Sequence, residues 1–156
     1  MSVQTTVTQK PFRAFDGLKA DLNVGTDVSK TVETAAIPFG RVVSQGSTDE
    51  KVVLGAGAGV IMGVSVRELL LEGGIPQVGE RIAVRTSGPI CAVVDGAGSK
   101  GDALKYDTAT GRLTTAAVAG TIVAITNGTI VLSEDKLNNA TEEDNIVRVE
   151  LVGIAG

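Results

Sequence analysis

Beyond Ala36 the chain is a succession of short runs rich in Val, Ile and Thr, each interrupted by Gly, Asp, Asn or Ser before a useful helix can form. That punctuation is the pattern of a sheet-built sandwich or barrel with frequent turns. The runs are Gly40 to Ser44, Lys51 to Leu54, Val60 to Arg67, Arg81 to Thr86, Ile90 to Val94, Thr121 to Ile125, Thr129 to Leu132 and Ile146 to Val152. In the last, Val147, Val149 and Leu151 alternate with Arg148 and Glu150, which puts one face inward and the other outward. Helix signals are confined to Val66 to Glu72 and Ser133 to Asn139, a turn or two each, and the 20 glycines oppose long helices. The expected fold is therefore all-β: a compact β-sandwich or β-barrel of the jelly-roll or β-tulip kind, spanning residues 36–156. Asn127-Gly128, between two Ile/Val-rich runs, is the pair suited to a type I′ turn and predicts a hairpin over 121 to 132.

Residues 1–35 have a different character. They are rich in Thr, Val, Lys and Asp, hold no sustained period of 3.6 or 2, and carry Pro11 and the turn-like pair Asp16-Gly17. They read as an extended N-terminal arm. Phe12 and Phe15 are two of only three Phe in the chain, which makes them candidate anchors onto a partner surface. The plainer reading is that both rings cover the edge of their own domain.

At 156 residues the chain fits one domain with an arm, and a compact chain of this size buries roughly 70% of its unfolded surface. Aromatic residues make up 3% and Trp is absent, so the core must be built from Val, Ile, Leu and Ala, poor material for the walls of a ligand pocket. His is absent, which removes the commonest general base near neutral pH, the usual partner of a Ser or Cys nucleophile and the commonest metal ligand. No catalytic, cofactor-binding or metal-binding residue is expected, and no cofactor. The net charge of −4, without a Lys/Arg cluster, argues against nucleic acid as a partner. No apolar run approaches the ~18 residues of a membrane span, and MSVQTTVTQKPFRAF lacks the apolar stretch of a signal peptide, so no membrane partner is expected and synthesis in a cytoplasm is. A single cysteine, Cys91, excludes an intrachain disulfide framework.

Three local patterns invite a chemical reading. Leu54-Gly55-Ala56-Gly57-Ala58-Gly59 has glycines enough for a phosphate loop, but the G-x-G-x-x-G spacing is not met and a strand-like run follows where a helix N-terminus would be required. It reads as a turn. Asp95, Asp102 and Asp107 are spaced carboxylates of the sort that bind calcium or share acid/base work, yet their spacing matches no calcium loop and Gly-rich connectors with Asp are ordinary turns. Glu142-Glu143-Asp144 reads as a solvated turn, and Cys91, among Ile90, Ala92 and Val93, as a small core residue.

Two ordered stretches resemble the head cement, or decoration, proteins of tailed bacteriophages. The first runs through Ala36-Ile37-Pro38-Phe39-Gly40-Arg41-Val42-Val43, then Lys51-Val52-Val53-Leu54, and on to Met62-Gly63-Val64-Ser65-Val66-Arg67. The second runs from Val78-Gly79-Glu80-Arg81-Ile82-Ala83-Val84 through Gly88-Pro89-Ile90-Cys91-Ala92-Val93 to Gly101-Asp102-Ala103-Leu104-Lys105-Tyr106-Asp107, where a turn leads into a short strand, and closes at Thr110-Gly111-Arg112-Leu113-Thr114. The resemblance covers roughly residues 35 to 115. It implies a non-enzymatic virion protein on the outside of the capsid that straddles joints between subunits of the major capsid protein and acts as a homo-oligomer, a dimer or trimer. The family has no catalytic residues to transfer.

Two other functions share this composition. A tail-tube or head-fibre module would also be β-rich, Gly-rich and free of His. A carbohydrate-binding module or glycoside-cleaving enzyme needs only carboxylates, but sugars stack on aromatic platforms and only Tyr106 is available besides the three Phe.

Overall fold

A computed structural model describes residue 17 and residues 25–55, 60–67, 74–136 and 145–154. Ten strands are joined in one hydrogen-bonded network, and no α-helix occurs among the described residues. They are β1 (Thr26–Val32), β2 (Val42–Gln45), β3 (Lys51–Leu54), β4 (Ile61–Ser65), β5 (Arg81–Asp95), β6 (Lys105–Asp107), β7 (Leu113–Thr114), β8 (Ile122–Ala124), β9 (Thr129–Leu132) and β10 (Ile146–Val152). The all-β expectation holds, and it takes the form of a closed barrel carrying a second β body.

The barrel is the ring β1-β3-β2-β4-β5, closed because β1 pairs with β5 as well as with β3. Closure leaves this part of the sheet without an open edge. β1 lies parallel to β3 and antiparallel to β5, running from Thr26 opposite Ser87, through a register shift before Asp27, to Thr31 opposite Arg81. Its interior holds Val32, Ile37, Val43, Val52, Met62, Ile82 and Val84, all branched aliphatic or Met side chains that fit a narrow barrel. β1 lies within the stretch that the sequence assigns to the arm. Its polar letters, Thr26-Asp27-Val28-Ser29-Lys30-Thr31-Val32, hide a strand that is half-buried along most of its length.

The second body is laid out as β9-β10-β5-β7-β6-β8. The segment entering β6 turns its far side back onto β9: the Leu104 amide donates to the Ile130 carbonyl (2.7 Å) and the Leu132 amide to the Asp102 carbonyl (3.0 Å). Its core gathers Ile90, Ala92 and Val94 of β5, Leu104, Tyr106, Leu113, Ile130 and Leu132, and Val147, Val149 and Leu151 of β10. The alternation in β10 is as the sequence requires, with Val147, Val149 and Leu151 buried while Glu150 and Val152 face out. This core continues over the outside of the barrel, onto Val42, Ile61, Val64 and Val66. Neighbouring residues Val42 and Val43 thus serve opposite cores, one on each side of the pleat.

Both bodies share β5. The sequence divides it at Ser87-Gly88-Pro89 into two strands, but it is one strand of 15 residues. Pairing carries across the break: Ser87 faces Thr26 of β1, while Gly88 and Pro89 face Leu151 and Glu150 of β10. Ile82 and Val84 look into the barrel, whereas Ile90, Ala92 and Val94, the even-numbered positions further along, fill the second core.

The hairpin expected over 121 to 132 does not form. β8 pairs with β6, and β9 pairs with β10. Asn127 has no positive φ, which a type I′ turn demands of it. The pair is used for close packing instead. The Asn127 side-chain amide donates to the Ile61 carbonyl of β4 (2.7 Å), and Gly128 lies so near Ile154 that an added Cβ would fall 2.7–2.9 Å from its atoms. The weak helix signals give no helix where described: Val66, Arg67 and residues 133–136 are non-helical, and Glu68 to Glu72 and residues 137–139 lie outside the described residues.

Candidate functional site

The spaced aspartates are each engaged in local structure. Asp95 forms an ion pair with Arg112, Oδ1 to Nη2 at 2.8 Å. Asp102 accepts the Ser99 amide (2.8 Å) and Asp107 accepts the Ala109 amide (2.8 Å), both closing turns through their own side chains. Lys136, almost wholly buried, donates its ammonium to the Gly96 carbonyl. Burial pushes its pKa down, and the nearby Asp95 carboxylate partly opposes that shift. No group of three or more Cys, Asp or Glu among the described residues is placed to hold a metal ion. Tyr106 is 5% exposed within the second core, and desolvation raises its pKa. A ring in that position packs the interior and offers no face for a sugar. A shallow cavity of about 330 Å³ lies over β9 and β10, bordered by Lys100, Val131, Arg148 and Glu150 and by no aromatic side chain. The exposed apolar residues, Val60, Ile75, Val78, Val118 and Val152, come from several separate stretches of chain.

The better-defined local geometry concerns how the N-terminal part of the chain is fastened down. Phe12 and Phe15, the expected contact residues, lie outside the described residues. Gly17, just beyond them, is described and buried. Its amide donates to the Cys91 carbonyl of β5 (2.8 Å), and its carbonyl accepts the Arg67 amide (2.7 Å). Its φ is +76°, and a Cβ there would sit 2.8 Å from the Gly40 nitrogen and the Phe39 Cβ, and 2.9 Å from the Arg67 nitrogen. Only glycine fits this slot without displacing backbone. The Arg67 guanidinium lies over the Phe39 ring, 4.9 Å from its centroid, and braces one wall. The Asp16-Gly17 turn signal marks the position in the sequence; nothing in the sequence points to its distant partners.

A second fastening holds the start of β1. Arg85, 3% exposed, donates Nε to Asp27 Oδ1 at 2.8 Å, Nη2 to Asp27 Oδ2 at 3.4 Å and Nη1 to the Pro89 carbonyl at 2.7 Å. Gly25 lies against the same guanidinium, where a Cβ would come within 2.7 Å of Cζ. The Thr86 hydroxyl adds a hydrogen bond to the Thr26 carbonyl (3.2 Å). At the other end of β1, the Glu33 carboxylate takes the Ser47 hydroxyl and the Ser47 amide (2.8 Å), with Lys51 Nζ at 3.5 Å. The Ser47 hydrogen bonds, with a smaller contribution from the Lys51 charge, hold the Glu33 pKa below the ordinary carboxylate value.

Such a molecule belongs to the class of β-barrel proteins, with a glycine slot and a guanidinium–carboxylate pair fastening its first strand region to the barrel. Comparison with known proteins makes the class specific. A family model described as structural cement protein (E217 gp24/Pam3 gp6) matches residues 3–152, and the chain belongs to that family. Among solved structures, a chain from "The capsid of Myoviridae Phage XM1" has a similar fold, with a TM-score of 0.74 at 16% identity, covering 99% of this chain and 100% of that one. No curated protein matches the chain. The resemblance read from the sequence over residues 35 to 115 is thus a family relationship over nearly the whole length.

Proposed function

We propose that this protein binds the outer surface of a phage head and joins neighbouring subunits of the major capsid protein, catalysing no reaction. The observation that carries this reading is the cement-family match over residues 3–152; the fold shared with a phage-capsid chain supports it. Capsid subunits repeat across a shell, so a protein that makes only modest contacts at each joint gains from the number of joints it spans. A rigid barrel suits that task because it does not deform when its two sides are held by different partners. The N-terminal arm, with Phe12 and Phe15, supplies contacts to a neighbour, and strand addition is one mode open to an extended segment. The protein acts as a dimer or trimer, is made in the host cytoplasm and ends on the exterior of the virion.

The test is co-sedimentation with expanded heads that lack the protein, using the full chain and a chain without residues 1–16, which keeps Gly17 and β1. Saturable binding at a fixed ratio to capsid subunits is expected, weakened by the truncation. Absence of binding to any head removes the cement reading, and undiminished binding by the truncated chain removes the arm from it. Sedimentation equilibrium of the free protein distinguishes dimer and trimer from monomer.

A further inference from the structure

The sequence holds a single Asn-Gly pair, Asn127-Gly128, and the fold does not use it as a hairpin turn. In such a pair no Cβ on the second residue hinders its nitrogen from approaching the asparagine side-chain carbonyl carbon. This is the dipeptide in which asparagine most readily loses its amide. Here the approach is restrained from both sides. The departing group, the Asn127 Nδ2 amide, donates to the Ile61 carbonyl of β4 at 2.7 Å, and Asn127 Oδ1 is buried. Gly128, at a φ of +154°, is packed so closely that an added Cβ would lie 2.7 Å from Ile154 Cδ1 and 2.9 Å from the Ile154 nitrogen and Cα.

We propose that Asn127 is a latent deamidation site, which the contact between β4 and the segment joining β8 to β9 keeps closed and whose conversion breaks that contact. The reaction consumes a water and releases an ammonia. The Gly128 nitrogen, its proton lost to solvent hydroxide, bonds to Asn127 Cγ; the Cγ–Nδ2 bond breaks, and Nδ2 takes a proton from water and leaves as ammonia. Water then opens the succinimide ring so formed. Attack at Cγ leaves an aspartate, and attack at the backbone carbonyl carbon of residue 127 leaves an isoaspartate, whose main chain runs through the side chain. Neither product fits the joint. The aspartate has no N–H for the Ile61 carbonyl and sets a carboxylate against it. The isoaspartate lengthens the main chain by one carbon where Gly128 is already packed on Ile154. An opening that ends in reaction is therefore not reversed by closing again. The reaction needs no partner, so it stands apart from the capsid reading.

Incubation of the intact protein at one mildly alkaline pH, folded in buffer and unfolded in guanidinium chloride, tests it, with peptide mass spectrometry and an isoaspartate-specific methyltransferase reading position 127. Where reaction requires opening, the folded rate is the unfolded rate scaled by the open fraction, so conversion at least ~10-fold slower is expected in the fold. Equal rates overturn the proposal. Ile154→Ala, held at a temperature where circular dichroism shows it folded, loosens the packing on Gly128. Its folded-state conversion is expected to rise several-fold while its rate in guanidinium chloride stays that of the parent. A folded rate unchanged by Ile154→Ala shows that this packing does not restrain the site and overturns the proposal too. Asn127→Asp carries the product without the reaction. Its thermal midpoint is expected to fall below that of Asn127→Ala, which removes the donor without adding a charge; a midpoint equal to the parent's shows that conversion leaves the joint intact, and the proposal fails.

Discussion

The barrel and the second body solve the same problem, how to end a sheet, in different ways. The barrel closes by a strand drawn from near the N-terminus, paired on both sides and locked by a buried ion pair. The second body closes by short pieces: β7 is two residues, β6 and β8 three each, and its last seam is a few hydrogen bonds between residues 101–104 and β9. The barrel interior is aliphatic, with Arg85 on the opposite face of β5 from Ile82 and Val84, while the second body relies on a larger aliphatic core that also covers the barrel's outer wall.

The sharpest way to break the comparison is to cut each core on their common strand. Ile82→Ala in the barrel and Ile90→Ala in the second body are each expected to cost about 4 kcal/mol, by lost burial and the cavity left behind. Both side chains are fully buried. Tyr106, the sole tyrosine in a chain without Trp, reports the second core by its fluorescence, while far-UV circular dichroism reports all strands. If β5 couples the bodies, urea midpoints from the two signals coincide in both variants; a tyrosine transition left in place by Ile82→Ala shows two independent bodies.

The ion pair ranks next, and its two halves are unequal. Asp27→Ala strands a cation that is 3% exposed and is expected to cost about 3 kcal/mol, whereas Arg85→Met leaves a carboxylate at 21% exposure, within reach of water, and costs about half as much. Equal losses in denaturant titrations contradict that asymmetry. Asn127→Ala removes the hydrogen bond from the second body to the Ile61 carbonyl of β4 and is expected to cost about 1 kcal/mol, read as a shift of both signals together.

The smallest effects separate the bodies by pH. Glu33, on the barrel, has a folded pKa below its unfolded value, so its contribution is present above the unfolded value and lost as pH falls through the folded one. Tyr106, in the second body, has a raised folded pKa, so its contribution is complete below the ordinary phenol value of about 10 and lost as pH rises through the folded one. Thermal midpoints should therefore fall less steeply in acid for Glu33→Gln, and less steeply in alkali for Tyr106→Phe, than for the parent chain. Unchanged slopes in either variant remove that residue from the pH response.

Much of this architecture is legible in the sequence where side-chain pattern and strand coincide. Lys51–Leu54, Thr129–Leu132 and Ile146–Val152 fall where the aliphatic runs place them. Legibility fails where a partner distant in sequence decides. β1 reads as polar arm because five of its seven residues are Thr, Asp, Ser or Lys, and only its pairing with β3 and β5 makes it a strand. Gly88-Pro89 reads as a break because a ladder rarely tolerates proline; here the Pro89 carbonyl is taken by Arg85 and pairing with β10 carries on. Asn127-Gly128 has the letters of a hairpin, but contacts with Ile61 and Ile154 override the local preference. Of the candidate site, Gly17 shows in the sequence only as a turn, and the Arg85–Asp27 pair joins residues 58 apart, with no local pattern to announce it.

The shared strand also orders events while the chain is being made. Every strand of the barrel lies between Thr26 and Asp95, so the ring can close while the 50 residues between β5 and β10 are being added. At ~5–20 residues per second of synthesis, those residues take seconds, ample time for a small barrel to fold. The second half of β5 then waits for its partner β10, which begins at Ile146. The first body is thus a template on which the second is assembled, and a ribosome that stalls before Ile146 leaves the barrel built with one edge of β5 bare.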